Sequence, residues 1–235
     1  MKTLGLIGGT SWVSTVDYYK TINHLTNERL GGLSSAKILL YSINLDEFKN
    51  LVDTNKWGEI GNMFSNVAKR LEHAGAECIL LCANTLHMVA ETVQQHIAIP
   101  LLHIAEMTAQ EIVKQKIDTV GLLGTKFTME KPFFKERLDK YNIQTFIPND
   151  ADRDFIHSSI FTELVKGIFR DETKKKYIEI IEDLKSKGAR GIILGCTEFP
   201  LLIRPEECDV PIFDTTAIHC KSAVDFALGD ERMNN

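Results

Sequence analysis

Residues 71–82 read LEHAGAECILLC, and residues 184–196 read LKSKGARGIILGC. Both phrases run Leu-x-x-x-Gly-Ala, then two residues, then three apolar residues, and end on a cysteine, with Gly195 inserted before Cys196 in the second. Each phrase joins a helical stripe to a short β-rich run. The first stripe is Ile60, Phe64, Val67, Ala68 and Leu71, and the second is Tyr177, Ile181 and Leu184 with Ile180 beside it, spaced by threes and fours.

Working outward, further landmarks recur in the same order. Gly5-Leu-Ile-Gly8 is answered by Gly121-Leu-Leu-Gly124, and Pro100-Leu101-Leu102 by Pro211-Ile212-Phe213. Strands are expected at 3–7, 37–43, 78–81, 119–123, 145–147 and 191–194, with helical patterns between them. Such alternation implies right-handed β-α-β units, a largely parallel sheet and helices on both faces. The expected fold is therefore α/β, with two pseudo-symmetric lobes, each a three-layer, flavodoxin- or Rossmann-like parallel-sheet domain. The last strand and helix follow the second cysteine and return to the first lobe by the logic of the repeat. This gives a first lobe of residues 1–100 plus 211–235 and a second of 101–210.

Composition narrows the class. The chain has 235 residues, 44% apolar and 25% charged, which describes an ordinary globular protein. A net charge of −5 offers no basic footprint for nucleic acid, and recognition of an acidic ligand would have to be local. The apolar run before Gly8-Gly9 is too short for a signal peptide, and no stretch approaches the ~18 residues of a membrane span, so a cytoplasmic location is expected. Five scattered cysteines without a C-x-x-C pair form neither a disulfide framework nor zinc spacing. Gly5-x-x-Gly8-Gly9 is not a dinucleotide fingerprint, and no Walker lysine follows it.

Cys82 and Cys196 close the two repeated strands, where open parallel sheets bind ligands. Ala83-Asn84-Thr85 follows the first and Thr197-Glu198 the second, residues suited to a helix start whose free N–H groups can hold an anion. Those helix ends are expected to lower the thiol pKa from about 8.5 toward neutrality. If a pseudo-twofold axis relates the lobes, the thiols face each other across an interlobe cleft. Racemisation of an amino acid removes the α-proton on one face and returns a proton on the other, and one thiolate and one thiol so placed can do both. Backbone amides would stabilise the charge developing on the carboxylate, so neither metal nor carbonyl cofactor is required. Cys78, Cys208 and Cys220 have no counterpart in the other half and read as structural. His87, five residues after Cys82, reads as a capping or packing residue. His103 and His219 hold related places near the expected cleft, without assigned chemistry.

The segments Gly8-Gly9-Thr10-Ser11-Trp12, Cys82-Ala83-Asn84-Thr85 and Gly195-Cys196-Thr197-Glu198 resemble the three signatures of the aspartate/glutamate racemase family. The similarity extends through Leu122-Leu-Gly-Thr125 and Phe213-Asp-Thr-Thr-Ala-Ile-His219. The resemblance implies two α/β lobes, no pyridoxal phosphate or other cofactor, a homodimer, and Cys82 and Cys196 as the proton-transfer pair, with Cys196 facing the α-hydrogen of the L-enantiomer. It implies that Asn84, Thr85, Thr125 and Thr197 hold the α-amino and α-carboxylate groups, with Glu198 in the same binding set. Thr10 would line the pocket where many relatives carry methionine. In aspartate-specific members a lysine and an arginine grip the second carboxylate. Lys166 stands where the lysine is expected, but residues 42–48 contain no arginine. Aspartate or glutamate is the expected substrate, and a neutral amino acid such as homoserine the alternative. Other relatives racemise hydantoins, isomerise maleate or decarboxylate arylmalonates; the decarboxylases keep one of the two cysteines, and this chain keeps both. A catalytically silent amino-acid-binding protein of the same fold is the remaining reading.

Overall fold

The computed structural model describes residues 1–229. The chain divides into two compact units, Met1–Ile104 with the segment from His219 onward, and Ala105–Ile218. The first contains β1 (Leu4–Gly8), α1 (Trp12–Leu30), β2 (Ile38–Ser42), α2 (Leu45–Asp53), α3 (Trp57–His73), β3 (Cys78–Leu81), a 3-10 helix (Asn84–Val89), α4 (Ala90–Gln94) and β4 (Leu101–Leu102). Next come α5 (Ile104–Lys114), β5 (Thr119–Gly124), α6 (Lys126–Glu130), α7 (Pro132–Asp139), β6 (Gln144–Phe146), α8 (Asp150–Thr162) and a 3-10 turn (Leu164–Lys166). The chain continues with α9 (Asp171–Ser186), β7 (Ile192–Gly195), α10 (Phe199–Leu202), a 3-10 turn (Pro205–Glu207), β8 (Ile212–Asp214) and α11 (Thr215–Leu228).

Each unit holds one four-stranded sheet, ordered β2-β1-β3-β4 in the first and β6-β5-β7-β8 in the second. Every pairing is parallel. The two orders are the same permutation, so the repeated phrases describe one topology used twice. All six expected strands are present, each within a residue or two of its expected limits.

Alternation along the strands shows why both faces of the first sheet are covered. Leu4 and Leu6 of β1, with Cys78, Leu80 and Cys82, join one core together with Tyr18 and Ile22 of α1. Ile7, Ile79 and Leu81 point to the other face, into a core with Ile60, Phe64, Val67, Ala68 and Leu71 of α3. Burying each such aliphatic side chain stabilises the fold by about 2 kcal/mol. In the second unit, Leu123, Ile192 and Leu194 meet Tyr177, Ile180, Ile181 and Leu184 of α9, the second stripe of the sequence.

The crossovers fall after Ile104 and Ile218, not near residues 100 and 210 as the sequence suggested. The reason lies in sheet pairing. Leu101 and Leu102 pair with Ile79 and Leu80, so β4 completes the first sheet before the chain leaves it. Ile212, Phe213 and Asp214 likewise pair with Ile192, Ile193 and Leu194, so β8 completes the second. What returns to the first unit is α11, whose Cys220, Ala223, Val224 and Ala227 pack on the face shared with α1.

The repeated Leu-x-x-x-Gly-Ala is a helix stop. The N–H of Ala76 donates to Leu71 O at 3.0 Å and that of Gly75 to Glu72 O at 2.9 Å. The N–H of Ala189 donates to Leu184 O at 3.0 Å and that of Gly188 to Lys185 O at 2.9 Å. This paired pattern caps the last carbonyls of a helix and requires a positive φ at the glycine, here +100° at Gly75 and +108° at Gly188. The turn fixes the angle at which each helix feeds the strand bearing the cysteine. A Cβ at Gly75 would meet nothing within 4 Å, so only backbone strain opposes a side chain there. Gly75→Ala should lower unfolding stability in urea by about 1–2 kcal/mol, and an unchanged midpoint would contradict this account of the turn.

Candidate active site

In the order β2-β1-β3-β4, the connections leaving β1 and β3 diverge to opposite sides, which opens a crevice beyond their carboxyl ends. Gly9 and Thr10 follow β1, and Cys82 follows β3, its N–H donating to Ile7 O at 2.9 Å. The second unit repeats the arrangement: Gly124 pairs with Gly195 in register, Thr125 follows β5 and Cys196 follows β7. Sheet topology therefore brings Thr10 beside the Cys82 loop, and Thr125 beside the Cys196 loop.

Both crevices need the glycines at their rims. A Cβ on Gly8 would lie 2.4 Å from Thr15 Cγ2, and one on Gly124 would lie 2.9 Å from Thr128 Cβ. Thr15 and Thr128 are buried threonines from the helix that follows each first strand, a correspondence the sequence reading missed. Thr15 Oγ1 accepts the N–H of Gly9 at 2.9 Å. Gly9 has φ +92°, and a Cβ there would fall 2.2 Å from Ile43 O.

Cys82 is fully buried, with its thiol 4.0 Å from Leu80 O. Ala83 is extended (φ −160°, ψ 143°) and turns the chain into the 3-10 helix, whose first residues are the buried Asn84 and the half-buried Thr85. Thr10 is half-buried, and its hydroxyl oxygen is inaccessible and has no hydrogen-bond partner. Burial alone pushes the Cys82 thiol far above its ordinary pKa.

Cys196 sits differently. Its thiol donates to Glu198 Oε2 at 3.0 Å, and the Thr197 hydroxyl donates to the same oxygen at 2.6 Å. Burial raises the Cys196 pKa well above its ordinary value of 9.0, and the charge and hydrogen bond of Glu198 raise it further. The backbone N–H groups of Glu198 and Thr197 point at the sulfur and pull the other way. The expectation of thiols lowered toward neutrality is thus corrected for both cysteines. The helices that follow are a 3-10 helix and a four-residue α10, too short for their dipoles to offset the loss of water around sulfur. Both groups are acids at rest. Cys196, unlike Cys82, has a carboxylate at hydrogen-bonding distance, and that carboxylate strengthens the hold of sulfur on its proton.

The other expected residues scatter in role. Thr125 caps α6, accepting the N–H of Thr128 at 3.3 Å. Glu198, grouped by sequence with the substrate-binding residues, spends its carboxylate on Cys196 and Thr197. The Cys-Thr-Glu adjacency was the only sequence signal for that contact. Lys166 is exposed on the 3-10 turn before Gly167. Residues 42–48 carry Asn44, which caps α2 by accepting the N–H of Asp46, and no cation. His87, His103 and His219 all lie in the first unit. The His87 ring stands 4.6 Å from that of His103 and 5.7 Å from that of His219, centroid to centroid.

Glu198→Gln removes a negative charge from beside the Cys196 sulfur. The thiol pKa should fall, yet stay above 9.0 because burial persists. The pH dependence of iodoacetamide labelling, read peptide by peptide, should shift to lower pH at Cys196 and stay unchanged at Cys82. An upward shift at Cys196 would contradict the assignment.

Comparison with known proteins identifies the family. The model of a family described as Asp/Glu/Hydantoin racemase matches residues 7–223. A crystal structure described as a candidate Asp/Glu racemase from Yersinia pestis is 46% identical, covers 97% of this chain and 100% of that one, and superposes with a TM-score of 0.93. An aspartate racemase homologue from Pyrococcus horikoshii OT3 is 36% identical, with 97% and 100% coverage and a TM-score of 0.87. The broad specificity amino-acid racemase RacX of Bacillus subtilis (strain 168) is 30% identical over 157 residues, 67% of each chain. Relatives named as racemases are isomerases, and with 7–223 of its residues matched, this chain belongs to the Asp/Glu/hydantoin racemase family.

Proposed function

We propose that this protein racemises a free amino acid, with aspartate or glutamate the favoured substrate, and that Cys82 and Cys196 act on opposite faces of the α-carbon without pyridoxal phosphate. The observation that carries this reading is that two sheets of identical order each end one equivalent strand in a cysteine. A decarboxylase or a silent binder has no use for such a pair.

In the direction from the L-enantiomer, Cys196 as thiolate takes the α-proton and the Cys82 thiol gives its proton to the opposite face. Cys196 then holds a thiol and Cys82 a thiolate, ready for the reverse direction. The proton that leaves Cys196 beforehand passes to solvent, and the backbone N–H groups of Thr197 and Glu198 hold the thiolate against the opposing Glu198 carboxylate. The α-ammonium of the substrate favours thiolates further, since an opposite charge nearby stabilises the ionised form. Asn84, Thr85, Thr125 and Thr197 hold the α-amino and α-carboxylate groups, and Thr10 lines the pocket. Lys166 takes the side-chain carboxylate. Within this reading the enzyme is a cytoplasmic homodimer.

A second substrate class, neutral amino acids, is favoured by one observation: residues 42–48 supply no cation to join Lys166. The B. subtilis relative named for broad specificity points the same way.

Chiral analysis of L-aspartate, L-glutamate and L-homoserine after incubation under reducing conditions ranks the two classes. Cys82→Ser and Cys196→Ser should each cost at least about 100-fold in kcat. Lys166→Gln should raise KM for aspartate about 10-fold, the scale of one partly exposed charge contact, and leave homoserine turnover unchanged. Retained activity in both serine variants would overturn the cysteine assignment; homoserine as the best substrate would move the function to the neutral class.

A further inference from the structure

Three imidazoles lie together in the first unit without a metal-binding arrangement among the described residues. The Nε2 of His87 accepts the backbone N–H of Ile104 at 3.1 Å. That fixes the tautomer: Nδ1 carries the hydrogen and donates to Ala83 O at 3.0 Å. His219 carries its hydrogen on Nε2, which donates to Leu102 O at 2.8 Å, while its Nδ1 accepts from the Tyr18 hydroxyl at 2.9 Å.

These bonds share a geometry. Ala83 is the residue after Cys82, and Leu102 and Ile104 flank the point where β4 gives way to α5. His87 ties the Cys82 loop to that point from one side, and His219 ties α1 to it from the other. Ala83 is in extended backbone before the 3-10 turn, and the turn has no side-chain cap of its own. His87 therefore supplies a polar link between this loop and the end of β4.

We propose that His87 is a positioning residue for Cys82: its neutral imidazole, donating to Ala83 O and accepting from Ile104 N–H, holds the thiol at the angle proton transfer needs. The inference rests on the racemase reading above. Burial holds His87 well below its ordinary value of 6.5, with His103 and His219 pushing the same way, so the required tautomer persists across the physiological range. A protonated ring would present Nε2–H to the Ile104 N–H and lose that bond.

A misplaced Cys82 has a kinetic signature that general destabilisation lacks. Inversion needs both thiols, whereas exchange of the α-hydrogen on one face needs Cys196 alone. The test compares wild type, His87→Leu, His87→Gln and His96→Leu in D₂O. His96 is a surface imidazole bonded to Thr92 O, away from the Cys82 loop, and serves as control. For the preferred substrate, His87→Leu should lower kcat for inversion about 100-fold with KM within about 3-fold, the scale of a catalytic group displaced by about 1 Å. Exchange into the remaining L-substrate should rise relative to inversion. His87→Gln, which keeps one donor and one acceptor, should recover part of the loss. His96→Leu should match wild type.

Equal loss of exchange and inversion in folded His87→Leu would overturn the proposal, as would an unchanged rate. Unfolding of both His87 variants would also overturn it, by making the residue structural. Absence of exchange and inversion in the wild type itself would instead sink the racemase reading, so the two failures are distinguishable.

Discussion

Parallel pairing of β1 with β3, and of β5 with β7, is the constraint on which the rest depends. Parallel neighbours cannot be joined by a hairpin, so each connection must cross a face as a helix. Both faces are then buried, and the strands become almost wholly apolar, as LGLIG in β1 and CILL in β3 are. The same constraint puts the carboxyl ends of the two strands side by side with their outgoing chains diverging. A short polar loop after one strand and a cysteine after the other then share a crevice without any dedicated scaffold. The glycine-bounded helix stop before each cysteine-bearing strand sets the register in which this happens.

Burial gives these cysteines their place and also opposes their reactivity. A thiol removed from water prefers its proton, so neither sulfur is a nucleophile or a base at rest. The two sites meet this cost unequally. At Cys196 two amides face the sulfur and offset part of it, while the Glu198 carboxylate at hydrogen-bonding distance adds to it. Cys82 has burial as the only influence on its pKa and depends on its neighbours for position. The repeat of one topology in the two units therefore stops at the chemistry. Under the proposed function, a dry site strengthens each charge that the substrate brings in, so sulfur and substrate ionise as a pair.

Much of this was legible in the sequence because apolar periodicity and glycine placement are local. The repeated phrase carries α3 and α9, the two strands that lead into Cys82 and Cys196, and the two-unit plan. Three features were not legible. The exact crossovers depended on two short strands, Leu101–Leu102 and Ile212–Asp214, whose pairing partners lie far away in the chain. The direction of the thiol shifts depended on burial around sulfur, whereas residue types alone pointed to a helix terminus. The imidazole cluster joins positions 87, 103 and 219; the repeat relates His103 to His219, and no spacing rule adds His87 to them. In sequence His87 reads as a capping or packing residue; its ring bridges two backbone groups, which only the folded chain brings together.

The central claim is that two cysteines act on opposite faces of one carbon. The most direct measurement is the early distribution of deuterium between the two enantiomers when an enantiopure substrate is turned over in D₂O, followed by mass spectrometry after chiral separation. With two bases, the product enantiomer carries deuterium at the α-carbon from the first turnovers, while the remaining substrate stays protiated. Equal early labelling of substrate and product would mean that one group handles both faces, and would contradict the account.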